Sequence, residues 1–255
     1  MVKAVRANQW VVSGGSLRGK ELDCQVQRTL RNTACSIYDL HHDIKKGELV
    51  RRLAEQEDFL VELIKRPRFT ERGLVVVGPH LSNFDFILQA GIMLGGQGLV
   101  LTIPELTGGY QQQFDMRKQT GMELLPASMA AMRRCIAYLK QGGMVLTGMD
   151  RPMENPNYHP RFFGRPSALP VLHVYLALKA HVPLVVAAVM REEDGSYQIL
   201  SSEPMEMVED SDREGEIVLN AERVCRAAED FIRLAPEQWS MSFPVWPEAL
   251  QEVEG

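Results

Sequence analysis

From residue 73 onward, short apolar runs rich in β-branched side chains alternate with stretches of helical period, and this alternation constrains the fold most. The runs at 74–77, 99–102, 144–147 and 184–189 read as buried strands, with 197–200 as a fifth. Helical stretches at 84–94, 127–141 and 167–180 lie between them, and 220–234 follows the last. On 127–141, Met132, Cys135, Ile136 and Leu139 share one face, and on 167–180 so do Val171, Val174, Tyr175 and Leu178. Gly95-Gly96 and Gly142-Gly143 stop the first two helices. Parallel neighbours need a long crossover, and a helix supplies it. The order therefore predicts an α/β fold: a layered, largely parallel sheet flanked by helices. Ligand sites in such folds lie at the carboxyl ends of the strands.

Residues 21–66 read as helical. Leu22, Val26 and Leu30 recur every fourth position and Ile37 falls seven after Leu30. Gly47 interrupts the pattern, Leu49, Leu53, Leu60 and Ile64 restart it, and Pro67 closes it. We therefore expect an N-terminal helical segment over 1–69 and an α/β domain over 70–255, together one structural unit. A chain of 255 residues can bury a full core without disulfides or metals.

Charge and cysteine usage exclude several functions. With 28 Lys plus Arg against 33 Asp plus Glu, the net charge of −5 argues against nucleic acid as a partner. Cysteines at 24, 35, 135 and 225 lack the spacing of a disulfide framework or a zinc site, so no metal is expected. The first twenty residues hold only a three-residue apolar run, 10–12, which is no signal peptide. The longest apolar stretch, 184–190, falls far short of the roughly 20 residues that span a bilayer. Gly14, Gly19 and Lys20 come near a phosphate-binding loop, but Glu21 stands where a magnesium-binding hydroxyl belongs.

The stretch that carries chemistry is GPHLSNFDF, 78–86, between the first strand and its helix. His80 and Asp85 stand in an H-x4-D spacing, with Ser82 as candidate N-cap of the helix. A loop folded over the helix start would bring Asp85 to the His80 ring. An imidazole can take the proton of an attacking hydroxyl, and a carboxylate on its other nitrogen fixes the tautomer. Ser82 and Asp85 read equally as a variant capping box, with His80 an ordinary loop residue.

The block resembles the first block of the lysophospholipid acyltransferase superfamily. Within it, the chain is most similar to the bacterial lipid A biosynthesis (late) acyltransferases and the related mycobacterial mannoside acyltransferases. DMRKQTGMELLP (115–126), AAMRRCIAYLKQGGMVLTGMDRP (130–152), RFFGRPSALPVLHVYLALKAHVPLVVAAV (161–189) and APEQWSMSFPVWP (235–247) resemble further blocks in order. The resemblance implies an O-acyltransferase. Its donor would be an acyl thioester on coenzyme A or acyl carrier protein, and its acceptor a hydroxyl of a membrane lipid or glycolipid. It implies His80 as general base with Asp85 as its partner. Asn83, Arg117, Asp150, Arg161 and Gly164 would be substrate-binding residues. No cofactor is implied. The enzyme would work in the cytoplasm, peripherally on the inner face of the cell membrane. A non-catalytic lipid-binding protein and an acyl-thioester hydrolase are the alternatives. Met93, Met116, Met122, Met129, Met144, Met149 and Met153 are expected near the cleft, where flexible thioethers suit either core filling or an acyl-chain tunnel.

Overall fold

In the computed structural model, the described residues are 1–42, 52, 55–56, 72–102, 114–115, 117–118 and 123–253. Two helices lead the chain, α1 (Val2–Val12) and α2 (Gly19–His42). The α/β part follows as β1 (Leu74–Gly78), α3 (Phe84–Met93), β2 (Leu99–Thr102), β3 (Glu123–Pro126), α4 (Met129–Lys140) and β4 (Met144–Gly148). A hairpin, β5 (Arg161–Phe162) and β6 (Arg165–Pro166), precedes α5 (Leu172–Ala180), β7 (Leu184–Arg191), β8 (Tyr197–Ser201) and α6 (Arg213–Leu234). A 3-10 turn (Pro236–Gln238) and the short α7 (Ala249–Glu252) end it.

The sheet has six strands in the order β3-β2-β4-β1-β7-β8. The pairs β2–β3, β2–β4, β1–β4 and β1–β7 are parallel, and only β8 runs antiparallel to its neighbour. The expected fold class is therefore the observed one. β1 (LVVVG) lies at the centre and is apolar on both sides, as a strand covered on both faces must be. Val75 and Val77 face the cluster that holds Leu139 of α4, Leu176 of α5 and Ile232 of α6. Leu74 and Val76 face the other way, onto Phe86 and Ala90 of α3 and Leu40 of α2. The two-residue period of the strand thus assigns each side chain to one of two cores.

Several elements differ from their sequence reading. α1 is a helix although its only sustained apolar run is short. Its Ala4, Ala7 and Val11 are buried, so small residues carry its packing. α5 starts at Leu172 rather than 167, because Pro170 sits just ahead of it. α6 starts at Arg213 rather than 220, with the Asp212 side chain accepting the Glu214 amide as its cap. Within the long N-terminal helical reading, α2 covers 19–42, and the restart at Leu49, Leu53, Leu60 and Ile64 lies outside the described residues. Among the described residues no helix is long and apolar enough to cross a membrane.

One buried group gives the fold a pH signature. His173 on α5 is 2 % exposed, and neither ring nitrogen meets a hydrogen-bond partner among the described residues. Burial lowers its pKa to about 4, from an ordinary 6.5. The unfolded chain therefore binds a proton that the folded chain refuses. Stability should fall by about 3 kcal/mol as pH drops from 6.5 to 4. Urea unfolding across that window should show this slope, and His173→Phe should flatten it.

Candidate active site

Strand register builds the site. β1 and β4 pair from Leu74↔Met144 through to Gly78↔Gly148. Two residues past that last pair stand His80 and Asp150, side by side at the carboxyl edge of the sheet. His80 Nδ1 lies 2.5 Å from Asp150 Oδ1. The other carboxylate oxygen, Oδ2, accepts the His80 backbone N–H at 2.8 Å and the Trp239 indole N–H at 2.7 Å. Asp150 is fully buried, whereas the His80 side chain keeps 28 % of its surface exposed.

The electrostatics agree with this geometry. Burial works against an imidazolium at His80. The charge and hydrogen bond of Asp150, helped by the more distant Asp85, outweigh it and hold the His80 pKa above its usual value, with Arg117 opposing. Burial likewise works against the Asp150 carboxylate. His80 and the hydrogen bonds from His80 and Trp239 overcome it, so Asp150 stays below the usual carboxylate range. An ionised Asp150 accepts, so Nδ1 carries the ring proton and Nε2 keeps its lone pair.

The expected pairing of His80 with Asp85 is therefore corrected. Asp85 lies in the first turn of α3 and accepts from Arg117 Nε at 2.6 Å. Sheet register places one carboxylate on the ring, and the nearby guanidinium takes the other. The cap is corrected as well. Asn83, not Ser82, caps α3, its side chain accepting the Phe86 amide at 3.2 Å. Ser82 sits at φ 50° and its amide donates to Gln238 O at 2.8 Å, which turns the chain one residue too early for it to cap.

A cavity of about 820 Å³ opens beside His80. Val76, Val100, Met144 and Leu146 form its sheet side, Leu88 and Ile92 of α3 face them, and Ile37 of α2 lies at its edge. His80, Asn83, Asp85 and Arg117 line it too. Arg151 lines it next to Asp150 and stacks its guanidinium 4.4 Å above Phe243. Asn83 is buried and donates to Ser36 O of α2 at 2.9 Å and to Tyr197 Oη at 3.3 Å, so it holds the loop. Tyr197 Oη in turn donates to Asp39 of α2, which also accepts from Arg191 Nε at 3.1 Å.

Arg161 and Gly164 are not brought to this cavity. Arg161 is exposed and donates its backbone N–H to Glu222 at 3.1 Å. Gly164, at φ 75°, follows Phe163, at φ 49°, in the tight turn between β5 and β6. Two consecutive positive φ angles mark the kind of hairpin turn that favours glycine. The neighbouring phenylalanines serve packing: Phe162 lies 5.9 Å from Trp239 and 5.6 Å from Trp246. Of the expected methionines, Met144 and Met153 line the cavity. Met149 is buried in the core, Met93 and Met129 are exposed, and Met116 and Met122 lie outside the described residues.

Sequence reasoning missed the C-terminal contribution. Residues 236–243 run beside the His80 loop, with a bridge between Leu81 and Trp239 and a 3.0 Å bond from Ser240 N to His80 O. The motif ending in Trp239 was visible in the sequence, but nothing local tied it to His80, 159 positions earlier.

Among the described residues no group of three or more His, Cys, Asp or Glu side chains could hold a metal ion. The site thus joins a His–carboxylate pair at the carboxyl edge of a largely parallel sheet to an adjoining apolar cavity, an arrangement suited to general-base chemistry on an apolar substrate. The chain matches the bacterial lipid A biosynthesis acyltransferase model over residues 28–247, and it belongs to that family. It is thus an acyltransferase whose family moves acyl groups to a lipid. No curated protein matches it.

The Asp85–Arg117 pair has side chains only 8 % and 15 % exposed, so breaking it strands a charge. Arg117→Ala should destabilise the fold by about 3 kcal/mol, and Asp85→Ala combined with it should recover part of that loss. A double-mutant cycle by urea unfolding measures the coupling.

Proposed function

We propose that the protein transfers a fatty acyl group from an acyl thioester, on coenzyme A or acyl carrier protein, to a hydroxyl of a membrane lipid or glycolipid. The observation that carries this reading is the His80–Asp150 pair at the wall of an apolar cavity of about 820 Å³. The acceptor hydroxyl gives its proton to His80 Nε2 as its oxygen attacks the thioester carbonyl. The tetrahedral intermediate collapses as the C–S bond breaks, and the imidazolium returns the proton to the leaving thiolate. Asp150 holds the tautomer and balances the imidazolium charge. Asp85 acts by holding Arg117 at the cavity wall, where a guanidinium suits an anionic group on donor or acceptor. The exchange moves one proton and one acyl group, so the reading calls for no metal or redox cofactor.

The acyl chain would lie against Val76, Met144 and Leu146, where burial contributes about 0.8 kcal/mol per methylene. Access from a membrane surface is supported by the exposed Ile37, Tyr38 and Met153, with Ile37 and Met153 themselves lining the cavity. The protein would work peripherally at the inner face of the cell membrane.

Thiol release from an acyl thioester, with and without lipid extract, tests the reading. Lipid-dependent release is expected. Lipid-independent release would indicate a hydrolase, and acyl-chain binding without release a passive carrier. His80→Ala should lower lipid-dependent release by roughly a hundredfold or more, and Asp150→Asn by ~10²–10⁴. Asp85→Asn should cost less than either. Because the base must be neutral, kcat/KM should rise with pH through a value above 6.5, the ordinary histidine pKa. A limb below that value would contradict the pairing with Asp150. Liposome co-sedimentation checks the peripheral location, and its absence at both low and high salt would overturn it.

A further inference from the structure

Trp239 and Trp246 share one aromatic cage. Their ring centroids lie 6.2 Å apart, and Phe162 packs against both. Both side chains are buried, at 1 % and 0 % exposure. Their indole N–H groups meet different fates. That of Trp239 donates to Asp150 Oδ2 at 2.7 Å, whereas that of Trp246 meets no hydrogen-bond partner among the described residues.

We propose that Trp239 is a positioning residue of the acyl-transfer site, holding Asp150 in the orientation that pairs it with His80. The proposal rests on the reading of His80 as general base. Three N–H groups fix the Asp150 carboxylate: the His80 ring on Oδ1, and the His80 backbone and Trp239 indole on Oδ2. Two of the three come from His80 itself. Trp239 is therefore the outside anchor, and the cage holds its ring rigidly. The same short segment grips His80 through Ser240 N on His80 O at 3.0 Å, and the loop just beyond it through Ser82 N on Gln238 O at 2.8 Å. One stretch of chain thus touches both members of the pair, by backbone on the histidine and by side chain on the aspartate.

The indole bond also helps to keep Asp150 ionised. Without it, Asp150 would be less firmly ionised and oriented, its support of the imidazolium would weaken, and His80 would become neutral at lower pH. Other groups set the background and are unchanged by the substitution. His80 faces Asp85 and Arg117 besides Asp150. Asp150 acts also on Cys225 of α6, whose thiol burial keeps neutral.

The test compares Trp239→Phe with Trp246→Phe in the full chain. Each removes one indole from the same cage, and only the first removes a bond to Asp150. Ring-labelled histidine NMR, with the His80 signal assigned by His80→Ala, reads the titration without requiring turnover. Trp239→Phe should move the His80 midpoint down by roughly half a pH unit and lower kcat on the order of tenfold, with KM for the thioester little changed. Trp246→Phe should leave the midpoint in place. Equal shifts in both variants, or none in either, would overturn the proposal. Should Trp239→Phe fail to fold, benzothienylalanine at 239 keeps the ring shape without the N–H and should give the same downward shift. A wild-type protein that turns over no thioester would sink the general-base reading, and the NMR comparison would still decide whether Trp239 controls His80.

Discussion

The register of β1 against β4 is the constraint on which the rest depends. Gly78 sits level with Gly148, so the residues two steps on, His80 and Asp150, emerge as neighbours. A one-residue slip would put the buried Met149 beside the histidine and turn every side chain of the strand to the wrong face. Gly78 guards this arrangement. A Cβ on Gly78 would stand 2.3 Å from the Ala187 carbonyl oxygen, and one on Gly148 would touch the His80 ring at 3.4 Å. The chemistry is thus positioned by the most rigid part of the molecule, the centre of a sheet covered on both faces.

The loop carrying His80 leaves that rigid edge and needs bracing, as the positive φ of Ser82 shows. The bracing comes from both ends of the chain. The segment after α6 lies on the loop, and the N-terminal helices hold that segment in turn. Asn8 of α1, 1 % exposed, donates to Met241 O and Phe243 O and accepts from Val245 N. Gln9 donates to Pro236 O, and Asn32 of α2 to Glu237 O. Buried side-chain amides are costly unless satisfied, and here each is spent on C-terminal backbone. On the other side, Asp39, Tyr197 and Asn83 tie α2 to the start of α3. The helices ahead of the sheet thereby act on the site through the loop and the tail.

Much of this was legible in the sequence. The strands of the parallel sheet core announced themselves as β-branched runs, because a strand buried on both faces must be apolar throughout. β3 did not: ELLP is short, lies at the sheet edge and is buried at only one residue. α1 escaped notice because alanines and buried amides, rather than large aliphatic residues, make its contacts. At the site, His80 and the H-x4-D block stood out, but local spacing suggested the wrong carboxylate. A different signal was present: two strands end alike, as Gly78-Pro79-His80 and Gly148-Met149-Asp150. Reading it requires knowing that the strands are neighbours in that register, which is information of the folded sheet. Trp239 was harder still, since its contact with Asp150 spans 89 positions. Arg161 and Gly164, expected at the site from the resemblance, stand outside the cavity lining, in a hairpin whose phenylalanines pack into the core.

The most direct measurement is the downfield proton NMR signal of the His80 Nδ1–H. In the wild-type protein that proton, bound to an ionised carboxylate, should give a resonance well separated from the amides. The account predicts that the signal survives Asp85→Asn and disappears or moves sharply upfield in Asp150→Asn. Survival in Asp150→Asn with loss in Asp85→Asn would contradict it.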